Sequence, residues 1–363
     1  MNIYLRKDGR YESRIPNGKK SNGKRTFLYV LARTKEQCIN RVQALCRRNK
    51  PQEYCSLTVT ELFNEWHHSI LHRVKESTAA NYLMKADKHI LPAFGNKAVS
   101  SVTANNVYDF IAEKQKAGFS PRYIADIVIL MKTIFKYAVR TYQIFNPMDG
   151  IVLPKKKSPE IQLLDEAEQK TLQQYIAAHQ NRSTLGTAIA LTAGMRIGEI
   201  CPLQWKDIDL EKRIISVTKT MQRIQCPTET SKTKLIITDP KSESSRRQIP
   251  IPDCMMGFLL KFKGKPEEYV LTGTEKPVEP RAMQYRFRTI LKNAKLPSVH
   301  FHALRHIFAS NCIRLGFDVK TLSELLGHSS VEITLNRYVH SSFDQKREYM
   351  KRIQISFEEN QAV

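Results

Sequence analysis

Acidic side chains are scarce beside basic ones: 35 Asp and Glu stand against 58 Lys and Arg in 363 residues, a formal charge of +23. The sequence pI is about 9.7. That imbalance argues for a polyanionic partner, with a nucleic-acid backbone ahead of an anionic membrane surface. Long hydrophobic runs are missing as well. No segment approaches the roughly eighteen uncharged apolar residues of a spanning helix, which sets the membrane reading aside. The opening MNIYLRKDGR has no apolar core of a secretory signal, so a cytoplasmic protein is expected. Paired cysteines are absent too. The seven cysteines (Cys38, Cys46, Cys55, Cys201, Cys226, Cys254 and Cys312) form no Cys-x-x-Cys unit, against a zinc ribbon or a disulfide framework. Reduced, mostly buried thiols are expected instead. No cluster of carboxylates stands out, as a metal-dependent nuclease would need, and there is no internal repeat or low-complexity tract.

The length suits two or three domains. Residues 1–50 carry 14 Lys and Arg against 3 acids, close to half of the excess charge. Their pattern predicts strands at NIYLR and YESRI joined by an Asp8-Gly9 turn, and a third strand at TFLYVLA. A helix should follow, capped by Thr34 with Gln37 three residues on. This β3α unit has a thin core and a basic surface. The expected DNA contacts are Arg6, Lys7, Arg10, Arg14, Lys24 and Arg25, since a small sheet can enter a groove. The bland alternative is an accessory domain charged only for solubility.

Residues 57–152 read as an all-α bundle. Thr60 is the expected cap of a helix bearing Leu62, Phe63, Trp66 and Ile70, and a second helix should run from Ser77 to Ile90 and stop at Pro92. A third is expected over 104–117, ending at Gly118. The fourth opens with Ser120 and Pro121 and gives out before Asn146-Pro147. The stretch VLPKKKSPE marks a linker at 153–162, in which Lys155, Lys156 and Lys157 can track phosphates. Asp165 with Glu168 opens a mixed α/β, mainly α, domain at 163–345, and 346–363 form an amphipathic tail.

Four motifs follow in this last domain, each weak alone. Thr192-Ala-Gly-Met-Arg196-Ile-Gly-Glu199 ends an apolar helix, where Arg196 would ordinarily just pair with Glu199. Lys241-Ser-Glu-Ser-Ser-Arg-Arg lies between KLIITD and QIPIP, expected as a hairpin with a solvated lysine at its tip. His302-Ala-Leu-Arg305-His306 puts His302 and Arg305 one turn apart on a helix. Its histidines suggest zinc only until the missing Glu of His-Glu-x-x-His is noticed. Leu326-Gly327-His328-Ser-Ser is followed by Tyr338, ten residues after His328.

In this order and spacing, the motifs from about 190 to 342 resemble the active site of the tyrosine recombinases, the phage-integrase family. The helical bundle resembles that family's core-binding domain. The basic N-terminal unit is similar to the arm-binding domain of integrases from phages and conjugative transposons. The resemblance implies site-specific cutting and rejoining of DNA, through a 3′-phosphotyrosyl intermediate and a Holliday junction, to integrate or excise a mobile element. It also implies a homotetramer on synapsed double-stranded DNA with core and arm-type sites, an accessory DNA-bending or excision factor, and a bacterial, nucleoid-associated setting. The family often shows Lys-Thr where this chain has Lys241-Ser242, so Lys232 and Lys234 stay open as substitutes.

The residue types suit that chemistry. A phosphodiester gathers negative charge in its transition state, which the forked guanidiniums of Arg196 and Arg305 can clamp. Glu199 can orient Arg196, and His328 can donate a further hydrogen bond. Tyr338 is the expected nucleophile. Its ordinary pKa is near 10, so a base must take its proton, and His302 can do so or hold the site's charge state. Lys241 is the expected proton donor to the leaving 5′-oxygen. No metal or nucleotide cofactor is expected, because the covalent link conserves the energy of the broken bond. The alternatives are a type IB topoisomerase-like enzyme, which rejoins the same strand, and a non-catalytic DNA-binding protein.

Overall fold

The structure is a computed structural model. It describes all residues except 1–2, 7, 20–24, 49–56, 143, 156–161, 227–231, 241–242, 339–346, 348–349 and 352–363. At 15–19, 25–26, 43–48, 243 and 336–338 it describes the backbone alone. Lys7, Lys24, Lys156, Lys157 and Lys241 therefore lie outside the described residues, as does nearly all of the tail, and Arg25 and Tyr338 are placed by backbone only. The chain divides into two compact units, with the boundary between residues 158 and 159.

The first unit opens with an antiparallel meander, β1 (Ile3–Leu5), β2 (Tyr11–Lys19) and β3 (Arg25–Ala32), followed by α1 (Lys35–Arg48). Gly9 makes the first turn at φ +76°, where only glycine is unstrained. The Thr34 hydroxyl accepts from the Gln37 amide at 3.2 Å, as a cap should. The core is as thin as expected: Val30, Ala32, Cys38 and Val42, with Ile3 and Tyr11 packed against them.

The all-α bundle has its own core, which includes Phe63, Trp66, Ile124, Ile127, Met131 and Phe135. Its helices are α2 (Val59–Ile70), α3 (Glu76–Lys85), α4 (Leu91–Phe94), α5 (Ala104–Lys116) and α6 (Pro121–Tyr142). Two expectations need correction. The cap of α2 is Thr58, not Thr60: Glu61 sits three residues after Thr58 and closes a reciprocal capping box with it. Nor does Pro92 stop a helix at Ile90. A wide turn over Ala86–Ile90, in which the Leu91 amide bonds five residues back to Ala86, relaxes the chain so that it runs on past the proline to Phe94.

In the second unit, α7 (Glu166–Ala178) starts with Asp165 and Glu168 capping each other. Next comes α8 (Arg182–Ala193), buried continuously from Thr184 to Leu191 and hence the central helix. The short α9 (Ile197–Ile200) leads to β4 (Ile208–Asp209), β5 (Ile214–Val217), β6 (Thr220–Gln225), β7 (Thr233–Thr238) and β8 (Arg247–Pro250). Then follow α10 (Asp253–Phe262), α11 (Pro280–Asn293), α12 (His302–Arg314), α13 (Val319–Leu326) and α14 (Val331–Tyr338). The expected hairpin of KLIITD with QIPIP does not form. β7 pairs with β6, whereas β8 pairs with β5 in a separate sheet ordered β4-β5-β8. The connection from Thr238 to Arg247 carries buried Pro240 and a 3-10 turn at Glu243–Ser245, and so bridges two sheets instead of folding one strand back on the other.

Burial pushes the Cys201 thiol up to about 12 and the Cys312 thiol to about 11, so both stay protonated. All five described cysteines are free. Among the described residues, no helix is long and apolar enough to cross a membrane.

Candidate active site

The site is assembled around two helix ends. The first is the C-terminus of α8, closed by Gly194 at φ +60°. A methyl there would also run into the Phe308 ring, so glycine is required twice over. The turn delivers Arg196 to the start of α9, with Glu199 one turn later. Glu199 is only 4% exposed. Its Oε2 accepts from the Arg196 amide at 2.9 Å and its Oε1 from Arg196 Nη1 at 2.8 Å.

The second end is the C-terminus of α13. Gly327, at φ +62°, makes a Schellman turn: its amide donates to Glu324 O at 2.9 Å and the His328 amide to Ser323 O at 3.0 Å. That leaves the next three carbonyls, and each accepts from a different arginine. Leu325 O takes Arg247 Nε at 2.6 Å, Leu326 O takes Arg305 Nη2 at 2.6 Å, and Gly327 O takes Arg196 Nη2 at 3.2 Å. Cations belong at this negative end of a helix, whose last carbonyls otherwise lack partners.

Arg305 rises from the first turn of α12 and is 2% exposed. Its Nη1 donates to Gly194 O at 2.8 Å, so this one guanidinium ties the two helix ends together. His302, the first residue of α12, is exposed, and its ring meets that of His306 edge-on with centroids 4.9 Å apart. His328 follows Gly327 directly, and its Nδ1 lies 2.8 Å from Oγ1 of the fully buried Thr334 on α14. When that hydroxyl donates, Nε2 keeps the proton and can serve an anion. Tyr338 is the last residue of α14, one helical turn beyond Thr334.

Arg196, Glu199, Arg305 and His328 thus come together, and His302 shares the first turn of α12 with Arg305. Lys232 is exposed just before β7, and Lys234 is exposed within that strand. Two contributors escaped the sequence reading: Thr334 and Arg247. Arg247 left a signal. In RQIPIP it alternates with Ile249 and Ile251, both buried, and an arginine on the inward face of a strand must have partners. Thr334 left none, being a short polar residue in a short helix. Burial alone would raise the Glu199 carboxyl, but hydrogen bonds and charge from Arg247, then Arg196, hold it below its usual range. Among the described residues no three His, Cys, Asp or Glu side chains gather as metal ligands would.

Of the basic residues expected to meet DNA, Arg6, Arg10 and Arg14 are exposed, as is Lys155. Arg6 and Arg14 both pair with Glu12, at 2.8 and 3.1 Å, and Arg10 pairs with Asp8 at 2.8 Å. Arg14 lies over the exposed Tyr29 ring, 5.4 Å from its centre.

The chain can be placed among known proteins. It is 26% identical to the "Tyrosine recombinase XerC-like" protein of Caldanaerobacter subterraneus subsp. tengcongensis, over 93% of each chain. It is 25% identical to the transposase from transposon Tn916 of Enterococcus faecalis, over 77% of this chain and 73% of that one. Among solved structures it is similar to the Tn1549 transposon integrase in complex with a circular intermediate DNA. That match has a TM-score of 0.67 and 25% identity, and covers 82% of this chain and 99% of that one. The fold is also that of lambda integrase, solved as a tetramer bound to a Holliday junction, with a TM-score of 0.59, 19% identity and coverage of 91% and 96%. The description "Phage integrase, N-terminal SAM-like domain" matches residues 58–115. Since the phage integrase family itself matches residues 162–345, over half of the chain and all the residues gathered at the two helix ends, this protein belongs to that family and is a tyrosine recombinase.

Proposed function

We propose that this recombinase cuts and rejoins duplex DNA at specific sites, integrating or excising a mobile element. The observation that carries this reading is the pair of guanidiniums, Arg196 and Arg305, held on the adjacent carbonyls of Gly327 and Leu326 immediately before His328. Two forks fixed this close can clamp the nonbridging oxygens of one phosphodiester. His328 Nε2 adds a donor. The Tyr338 oxygen forms a bond to phosphorus as the bond to the 5′-oxygen breaks. The tyrosine proton passes to His302, or His302 holds the charge state, and Lys241 protonates the leaving oxygen, with Lys232 or Lys234 as substitutes. Attack by the 5′-hydroxyl of a second duplex reverses these steps and completes the exchange. The two guanidiniums supply the positive charge that a pair of metal ions provides in other phosphoryl-transfer enzymes.

The domain roles follow: residues 1–50 bind arm-type sites, 57–152 bind core DNA, 163–345 carry the catalysis, 153–162 link the last two, and the tail from Phe343 docks on a neighbour. Support for arm binding is the exposure of Arg6, Arg10 and Arg14, and of Tyr29 beneath Arg14. Exchange between two duplexes needs four strand cuts and each chain holds one Tyr338, which supports a homotetramer on synapsed DNA. An accessory bending or excision factor completes the assembly, at the cell's own DNA.

The test is a suicide substrate whose cut strand loses its 5′-hydroxyl fragment. The full chain should form an adduct that survives denaturation, and Tyr338→Phe should bind the DNA equally well but form none. An adduct with the phenylalanine variant would remove Tyr338 as nucleophile. Adduct formation without any exchange between duplexes would favour the topoisomerase-like reading.

A further inference from the structure

Arg247 leads β8 on the buried side of its sheet, opposite Val217 and in line with Ile249 and Ile251. Its side chain is 6% exposed. A guanidinium tolerates such burial only when its donors are met. Nη2 donates to Glu199 Oε2 at 2.9 Å and Nη1 to Glu199 Oε1 at 3.2 Å, while Nη1 also reaches Ser245 O at 3.1 Å and Nε reaches Leu325 O at 2.6 Å. Arg196 uses the same two kinds of partner: the Glu199 carboxylate, and a carbonyl two residues further along the end of α13. The two arginines therefore share one carboxylate and one helix end. Arg247 is the buried member and Arg196, at 35% side-chain exposure, the one that faces out.

We propose that Arg247 is a positioning residue for strand cleavage. By holding both oxygens of Glu199 and the Leu325 carbonyl, it sets where Arg196 and His328 stand relative to each other. Through Ser245 O it also anchors the turn that leads into β8. Gly327 is packed against it, since a methyl on that residue would lie 3.0 Å from Arg247 Nη1. Lysine cannot substitute, because one ammonium cannot bond in the plane of a fork to a carboxylate and a carbonyl on different elements. The inference rests on reading Arg196 as a phosphate clamp.

The test measures three quantities in the full chain: the single-turnover rate of adduct formation at saturating suicide substrate, DNA affinity by gel shift, and thermal stability. Arg247→Lys, which keeps the charge, should leave affinity unchanged and slow adduct formation on the order of 10²-fold, the cost of misplacing a catalytic group by about 1 Å. Arg247→Met with Glu199→Gln replaces the buried pair by neutral groups and should regain stability. Its cleavage should stay as slow as that of the slower of Arg247→Met and Glu199→Gln measured singly, because both act through one contact. Wild-type cleavage by Arg247→Lys, or cleavage restored along with stability in the double variant, would overturn the proposal. Arg196→Lys runs alongside: if it too cleaves at the wild-type rate, the clamp reading has failed instead.

Discussion

Glu199 is a carboxylate taken almost wholly out of water, and it stays ionised because Arg247 and Arg196 bond both of its oxygens. Its folded pKa lies below the unfolded value. The stability it contributes is therefore present above the ordinary carboxylate pKa, and is lost as pH falls from there through the folded value. The wild-type catalytic unit should accordingly lose stability below about pH 4.5, the ordinary value for a glutamate. Glu199→Gln should be less stable at neutral pH but flatter on the acid side. Melting curves between pH 3.5 and 7 test this, and parallel pH profiles would contradict it. Lys241 calls for a different experiment. As general acid, its replacement by alanine should slow cleavage on the order of 10²–10⁴-fold. A substrate with sulfur at the bridging 5′ position hardly needs a proton, so the variant should recover most of its rate there while an Arg196 variant does not. Equal defects on both substrates would shift the role to Lys232 or Lys234.

The C-terminus of α13 shows how one element organises a site. Five successive carbonyls, from Ser323 to Gly327, are met by two amides of a Schellman turn and then by three arginines from β8, α12 and the start of α9. The geometry depends on Gly327. An alanine there would bear the left-handed strain of about 1–2 kcal/mol and press on Arg247 Nη1 and Ser244 O, 3.0 and 3.1 Å away. Gly316, at φ +84° with nothing near it, isolates the strain alone. Thermal melts should rank the losses Gly194→Ala above Gly327→Ala above Gly316→Ala, and only the first two should slow adduct formation. Equal losses would mean that backbone conformation, not the packing of the arginines, sets the cost. Short-range signals read well at this scale: Asp165 with Glu168, Thr34 with Gln37, and Ser120 before Pro121 all cap helices, because a cap is a contact within four residues. The β7–β8 pairing did not read correctly, because strand partners are chosen by the sheets available and not by adjacency.

Across the whole molecule, charge is distributed unevenly, and residues 1–50 hold 14 of the basic residues but none of the proposed catalytic ones. Removing them should leave cleavage of a core site intact and abolish binding to a second class of site. That second affinity should fall steeply with salt, with a log–log slope of about −0.9 for each phosphate neutralised. Salt-titrated gel shifts of the full and shortened chains measure both, and identical binding would mean the segment is no DNA-binding domain. Cleavage should also persist in excess chelator, because in the proposed mechanism arginines, histidines and Lys241 supply the charge and proton donors. Loss of the adduct with chelator, restored by magnesium, would contradict that.

From the sequence alone came the polyanionic partner, the order of domains, and Arg196, Lys241, His302, Arg305, His328 and Tyr338 as candidates. Charge excess, helix caps and motif spacing are all properties of the chain as a string. Only the tertiary structure decided that Arg247 stands beside Arg196 and that Thr334 meets His328. It alone showed three arginines on consecutive carbonyls of one helix end. Arg247 and Glu199 are 48 residues apart and Arg196 and Gly327 are 131 apart. Nothing local specifies such pairs; they arise because a buried charge or an open helix end must find its partner wherever the fold brings one within reach.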